Sequence, residues 1–132
     1  MGIVSAALCW ALALQACEPA DPARAGAERF IDRYYVEIDL LAARQHAAGL
    51  ARVKLDREME LLEGIDAPEA SGKPDVNYRF LDEHAGSDAG HRGFLYELKI
   101  SFAGGDPVVR RALVTVRESA GEWRVVNFQE MD

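Results

Sequence analysis

The chain is poor in cysteine, and this scarcity limits how its fold can be stabilised. Its 132 residues include two cysteines, Cys9 and Cys17, and none follows residue 17. The rest of the chain cannot form an internal disulfide, so a folded domain there depends on its hydrophobic core. Hydrophobic residues make up 49% of the sequence, which is enough for the core of one domain of this length.

Basic residues are also in short supply. The sequence has 15 lysines and arginines against 22 aspartates and glutamates, for a net charge of −7, and all of them follow Cys17. Binding to nucleic acid requires concentrated positive charge, because each phosphate is neutralised by a lysine or an arginine. The acidity therefore argues against a nucleic-acid partner and against docking of the folded part on anionic lipid headgroups.

The longest apolar run is too short to cross a membrane. It extends from Ile3 to Leu14 without a charge. As a helix it would span about 18 Å, whereas the hydrocarbon core of a bilayer is about 30 Å thick. A short apolar stretch that ends in small residues is typical of a cleaved signal peptide.

The residues that end this run favour a more specific interpretation. Leu14-Gln15-Ala16-Cys17 resembles the lipobox of a bacterial lipoprotein. The resemblance implies that residues 1–16 are removed, that Cys17 carries a diacylglycerol and that the protein is exported to the cell envelope, held on the membrane by this lipid anchor. Residues 17–21 would then be the lipidated cysteine and a short tether. Secretion without a lipid, or an uncleaved apolar helix, are the alternatives.

After the tether, the sequence has a helical pattern. Asp21-Pro22 is typical of an N-cap followed by proline in the first turn. Asp39 is expected to cap a second helix from residue 40 to about 48, with His46 on its exposed side, and Gly49 to end it. A third helix is predicted from about residue 50 to 64. The apolar positions at helical spacing in the first and third helices are Ala27, Phe30, Ile31, Tyr34, Ile38, Ala51, Leu55, Met59 and Leu62.

The periodicity changes to two after the loop at residues 67–75. Four segments alternate in the manner of strands, at about 76–81, 94–102, 108–118 and 122–128. Glycine-containing turns at 104–106 and 120–121 separate the last three. Helices followed by a run of strands predict an α+β fold with the N-terminal helices packed on a curved, mainly four-stranded antiparallel sheet, all within residues 22–132.

Three segments of this domain resemble the nuclear transport factor two-like superfamily, also called ketosteroid-isomerase-like or cystatin-like. They are the helix with paired aromatics (residues 30–35), the aspartate-capped second helix (residues 38–43) and the closing strand Gly121-Glu122-Trp123-Arg124-Val125-Val126-Asn127-Phe128. The resemblance implies a cone-shaped fold in which sheet and helices enclose a pocket. Members use that pocket for isomerase or dehydratase chemistry, for small-molecule binding or merely as a core, so the fold does not decide the function.

Four side chains are candidates for the lining of such a pocket. Tyr34, Tyr78 and Tyr96 fall on the apolar stripes, and Asp82 is expected to continue the face of the first strand. A carboxylate base that faces a tyrosine in an apolar pocket is the arrangement that an isomerase requires. Inward tyrosines that simply pack, and a solvated Asp82 at the start of a loop, are the alternative. No catalytic set can be assigned to these positions.

The histidines do not form a recognisable metal site. His84 and His91 flank a glycine-rich segment with several carboxylates nearby, and imidazole with carboxylate is a donor set that metals use. The spacing matches no known site, however, and the segment is typical of a hairpin connection. We therefore predict no metal and no other cofactor.

The opposite face of the sheet is a candidate protein interface. Leu81, Leu95, Val109 and Leu113 alternate with the proposed core residues and stand among charged side chains. Apolar residues mixed with charges suit a modest interface, and domains of the resembled superfamily often form homodimers through this surface. An ordinary exposed sheet face is the alternative.

Taken together, these patterns predict an envelope lipoprotein that binds either a small apolar ligand or an envelope protein partner. A small acid–base enzyme that uses the same pocket is the first alternative, and a structural accessory without a ligand is the second. Both the binding module and the enzyme require a cavity with a few converging polar groups.

Overall fold

The computed structural model describes residues 21–65, 72–86 and 88–131, which form an α+β domain. Its elements in chain order are α1 (Pro22–Ile31), a π-helical turn (Asp32–Val36), α2 (Leu40–Arg44), α3 (Gly49–Leu62), β1 (Asp75–Ala85), β2 (His91–Ser101), β3 (Val108–Ser119) and β4 (Glu122–Met131). The predicted fold class is confirmed. The predicted signal peptide and Cys17 lie outside the described residues, so lipidation stays a prediction.

Both aspartate caps that the sequence indicates are present. The Asp21 carboxylate accepts a hydrogen bond from the Ala23 amide, and Pro22 occupies the first helical position of α1. The Asp39 carboxylate accepts one from the Ala42 amide at the start of α2. Each bond satisfies an amide that a helix terminus would otherwise leave unpaired.

The end of the first helix differs from the sequence prediction because a π-helical turn follows α1. The Glu37 amide donates to the Asp32 carbonyl, five residues back, and the Asp39 amide donates to the Arg33 carbonyl. This wider turn breaks the 3.6-residue periodicity. Tyr35 is therefore buried in the core, while Ile38, which helical spacing predicts to be buried, is 41% exposed.

The second and third helices also differ in detail from the prediction. Helix α2 ends at Arg44 rather than near residue 48, and Gly49 begins α3 instead of ending α2. Ala51 and Leu55 of α3 are buried, but Leu62 is exposed. The last turns of α3 therefore extend beyond the packed core, which leaves their apolar side chains accessible.

The four strands form an antiparallel meander in the order β1-β2-β3-β4. Two bulges interrupt its register, one at Leu81 in β1 and one at Val126 in β4. A bulge adds an unpaired residue and bends its strand, which accounts for part of the sheet's curvature. Helix α1 packs across β3 and β4, and α3 packs against β4.

The core lies between these helices and the inner face of the sheet. Gly26 allows α1 to come unusually close to β4, because a Cβ atom there would lie 2.7 Å from the Trp123 carbonyl oxygen. The largest fully buried side chains are Tyr96, Phe30, Phe94, Ile31, Leu55, Leu98, Val114, Val116 and Val125.

Candidate functional site

An aromatic cluster joins the first helical segment to the end of β4. The rings of Phe30 and Tyr34 are stacked with centroids 5.5 Å apart, and Phe128 packs against them at 5.0 Å and 4.9 Å. Tyr35 meets Tyr34 edge to face at 4.7 Å. Such contacts hold the rings in fixed positions and leave the exposed edge of Tyr34 facing α3.

Polar groups from α3 surround the outer edge of this cluster. The Tyr34 hydroxyl lies 2.8 Å from both carboxylate oxygens of Glu58 and donates to that carboxylate. The Lys54 ammonium donates to the Asn127 side-chain oxygen at 2.7 Å and to the Phe128 carbonyl at 2.8 Å. It also lies 5.4 Å from the centre of the Phe128 ring. Lysine and glutamate from one helix therefore fix the polar rim of an otherwise apolar surface.

A cavity of about 320 Å³, widely open to solvent, lies between α3 and the end of β4, bordered by these groups. Tyr34, Leu61 and Phe128 provide its apolar walls, and the remaining lining residues are Lys54, Arg57, Glu58, Gln129 and Glu130. Burial raises the pKa of Tyr34, and the negative Glu58 carboxylate, which accepts a hydrogen bond from its hydroxyl, raises it further. The Tyr34 hydroxyl is therefore a neutral donor at physiological pH. We call this cavity the α3–β4 cavity.

Tyr78 and Tyr96 do not join Tyr34 in the α3–β4 cavity. Their rings meet edge to face at 5.8 Å on the other side of α1. The Tyr78 hydroxyl donates to Asp32 at 2.8 Å, and the fully buried Tyr96 has its hydroxyl 3.4 Å from Glu28. Burial raises the pKa of both tyrosines. They act as packed side chains that tie the first two strands to the first helical segment.

Asp82 is not on the inner face of β1, contrary to the sequence prediction. The Leu81 bulge shifts the register, so that Phe80 pairs with Tyr96 whereas Asp82 pairs with Leu95. Since paired residues share a face, Asp82 lies exposed on the outer side. The predicted combination of Asp82 with the pocket tyrosines is therefore wrong.

The outer face of the sheet carries the predicted apolar residues. Leu95 and Leu113 are directly paired and half-buried. Val109 pairs with Lys99 and is 58% exposed, while Leu81 is the half-buried extra residue of the β1 bulge. These four positions provide an apolar strip beside charged side chains, and its use as an interface stays a prediction.

His84, near the end of β1, and His91, at the start of β2, do not converge. The His84 ring nitrogen lies 3.9 Å from Asp82 and that of His91 lies 3.7 Å from Asp88, each a separate contact at the surface. Within the described parts of the chain, no three histidine, cysteine, aspartate or glutamate side chains are grouped so that they could hold a metal ion.

A second, polar cavity that the sequence does not indicate lies at the opposite end of β4. Its volume is about 520 Å³, and its lining residues are Arg29, Gln45, His46, Arg52, Glu122, Trp123 and Arg124. His46 is half-buried rather than exposed, because Ala47 and Val125 form a bridge that pulls this segment onto β4. We call it the arginine cavity. No sequence motif could have indicated it, since its basic residues come from α1, α3 and β4.

Comparison with known proteins identifies the fold. No protein-family model matches the chain, and no curated protein matches it by sequence. Among solved structures, it is similar to a putative calcium/calmodulin-dependent protein kinase type II association domain from Thiobacillus denitrificans. That similarity has a TM-score of 0.61 at 15% identity and covers 86% of this chain and 97% of the other.

A second similar structure is a designed protein of the nuclear transport factor two type. Here the TM-score is 0.55 at 12% identity, with 83% of this chain and 96% of the other covered. Identities this low concern architecture alone, and on that evidence the domain has the nuclear transport factor two-like fold.

In the described part of the chain, no helix has the length and apolar character needed to span a membrane.

Proposed function

We propose that this protein is a binding module that holds a small, mainly apolar ligand in the α3–β4 cavity. The observation that carries the proposal is the cavity itself, which has aromatic and leucine walls and a rim of fixed polar groups. Ligand sites commonly combine apolar walls with a few oriented polar groups, and a volume of about 300 Å³ is at the small end of their range.

The exposed end of α3 supports this assignment. Leu61 is 70% exposed although it borders the cavity. A ligand that covered Leu61 and the edge of Phe128 would bury apolar surface, at a gain of about 25 cal/mol per Å². The Tyr34–Glu58 and Lys54 groups would orient a polar end of the ligand at the rim.

The experiment is a titration with the neutral apolar dye Nile red, whose fluorescence reports an apolar environment whatever the natural ligand is. We expect Leu61→Lys to bind the dye about fivefold to tenfold more weakly than the unaltered protein, because a charge replaces an apolar wall. The matched control is Leu41→Lys on α2, since Leu41 is 67% exposed and borders no part of this cavity. Equal binding by both variants would contradict the proposal.

An acid–base enzyme in the same cavity is the second candidate, and the contact between Tyr34 and Glu58 favours it. A carboxylate and a tyrosine side by side supply a proton acceptor and a donor. Conversion of an enolisable ketone by the purified protein, abolished by Glu58→Gln, would support the enzyme. Ligand retention without turnover would support the binding module instead.

We further propose that the module acts in the cell envelope, anchored by a lipid on Cys17, with a homodimer or an envelope protein as its partner. The lipobox-like residues before Cys17 and the apolar strip on the sheet support this. Native mass spectrometry of the protein extracted from its own membranes tests both parts. A bound small molecule would support the binding module, whereas a lipidated protein complex without the mass of a bound small molecule would favour an assembly role.

A further inference from the structure

We propose that the arginine cavity is a second binding site, which takes a small organic anion through its phosphate or carboxylate group. It is separate from the α3–β4 cavity and lies at the other end of β4. Three elements place a guanidinium around one cavity: Arg29 from α1, Arg52 from α3 and Arg124 from β4.

The lining of this cavity contains little negative charge. Glu122 is the one carboxylate in its lining, and it is 2.9 Å from Arg124. Within the described ranges, neither the Arg29 nor the Arg52 side chain forms a hydrogen bond or an ion pair. The lining therefore carries more positive than negative charge in a chain whose net charge is −7. Outside the lining, Asp56 attracts Arg52 along α3, and Asp32 and Glu37 border the adjoining cavity that shares Arg29.

Arg52 also carries a buried donor. Its Nε atom is buried and has no hydrogen-bond partner in the described structure. A buried donor without an acceptor destabilises the fold, and most such donors are satisfied in native proteins. The guanidinium groups of the arginines that line the cavity are suited to oxyanions, because they recognise such anions with paired hydrogen bonds.

The positive charge around this cavity also affects the pKa of His46. Burial lowers its pKa, and three arginines lower it further: Arg29, Arg33 and Arg124. Glu122 acts in the opposite direction. Arg33 borders an adjoining cavity that shares Arg29 and His46, and its charge is largely balanced by Glu37 at 2.8 Å. An anion bound among these groups should therefore raise the pKa of His46.

The cavity also suits an organic body attached to the anionic group. At about 520 Å³ it is much larger than inorganic phosphate. An apolar group attached to the anion would be removed from water in the remaining volume. We therefore expect phenyl phosphate to bind more tightly than inorganic phosphate.

The test is an NMR titration of the full chain with inorganic phosphate and with phenyl phosphate. The chain has three histidines, so His84 and His91 serve as internal references. We expect the ring signal of His46 to shift at millimolar concentrations of either ligand and the pKa of His46 to rise. The ring signals of His84 and His91 should keep their positions. Equal shifts at all three histidines, or none at His46, would overturn the proposal.

Two substitutions assign the binding to the guanidinium groups. Arg29→Gln should weaken phosphate binding about tenfold, since it removes one charged donor from the cavity. Arg111→Gln is the matched control, because it removes the same charge from the exposed outer face of β3. Equal weakening by both variants would indicate a non-specific charge effect and overturn the site.

Vesicles distinguish a free solute from a lipid headgroup as the source of the anion. Phosphatidylglycerol vesicles that shift His46, with the shift lost in Arg29→Gln, would identify a headgroup as the ligand. A response to phenyl phosphate but not to vesicles would identify a soluble anion. Both results support the oxyanion site, whereas no response to any of the three probes would refute it.

Discussion

Arg92 on β2 forms an ion pair with Asp21, the N-cap residue of α1. Its two terminal nitrogens donate to the two Asp21 carboxylate oxygens at 2.9 and 2.6 Å, and its Nε donates to Glu83 at 2.7 Å. The same Asp21 carboxylate accepts the Ala23 amide. One carboxylate therefore begins the first helix and ties it to the sheet.

We expect Asp21→Ala to lower the free energy of unfolding by about 1–2 kcal/mol, the usual cost of losing an N-cap, with the half-exposed ion pair adding little. Chemical denaturation of both proteins measures this. Asp75→Ala, at the exposed start of β1, is a control without a cap to lose. Equal loss in the two variants would contradict the role given to Asp21.

The same carboxylate predicts a pH dependence. The hydrogen bond from Arg92 holds the pKa of Asp21 below its usual value of 3.8. A depressed pKa stabilises the fold above the unfolded value, and that stability is lost as the pH falls through the lower, folded value. Stability curves between pH 2 and pH 6 should therefore drop less steeply below pH 4 for Asp21→Asn than for the unaltered protein.

Gly26 is expected to tolerate no side chain. A Cβ at this position would lie 2.7 Å from the Trp123 carbonyl oxygen, and the neighbour is backbone that cannot move away easily. Gly26→Ala should therefore destabilise the fold by about 1–3 kcal/mol, despite the higher helix propensity of alanine. Thermal unfolding measures the effect. Gly105→Ala has open space around its Cβ and should be near neutral; a comparable loss there would refute the explanation.

The apolar strip on the sheet predicts an oligomer. If Leu95 and Leu113 form the centre of a homodimer, replacing both with glutamate should convert a dimer to a monomer in sedimentation velocity, because two buried charges would oppose association. Leu41→Glu with Leu50→Glu is the matched control, since both leucines are exposed on helices. A mass distribution unchanged by the Leu95 and Leu113 substitutions would exclude this interface.

Lipid attachment is tested at the two cysteines. Incorporation of an alkyne-labelled palmitate in the cell should be lost in Cys17→Ser and retained in Cys9→Ser, because the lipobox resemblance assigns the lipid to Cys17 alone. Membrane fractionation should change in parallel, with only Cys17→Ser released. Label that persists after the Cys17 substitution would overturn the anchor.

Local sequence signals were enough to predict the helices and strands of the fold. Asp21-Pro22 and Asp39 mark helix starts because a short side chain satisfies nearby amides. The alternation from residue 94 to 102 marks a strand because successive side chains point to opposite faces. These signals depend on neighbours within a few positions, so the order of helices and strands follows from the sequence alone.

The candidate sites depend on effects that no local pattern contains. Because the bulge adds one residue at Leu81, Asp82 lies on the opposite face of β1 from the one that simple alternation predicts. Because of the π-helical turn, Tyr35 rather than Ile38 is buried in the core. Tyr34 and Glu58 are 24 positions apart, and Arg29 and Arg124 are further still. The sequence by itself determined the fold class, because periodicity and caps are local. The tertiary structure decided which side chains line each cavity, because a single bulge or helical turn changes the direction of every residue beyond it.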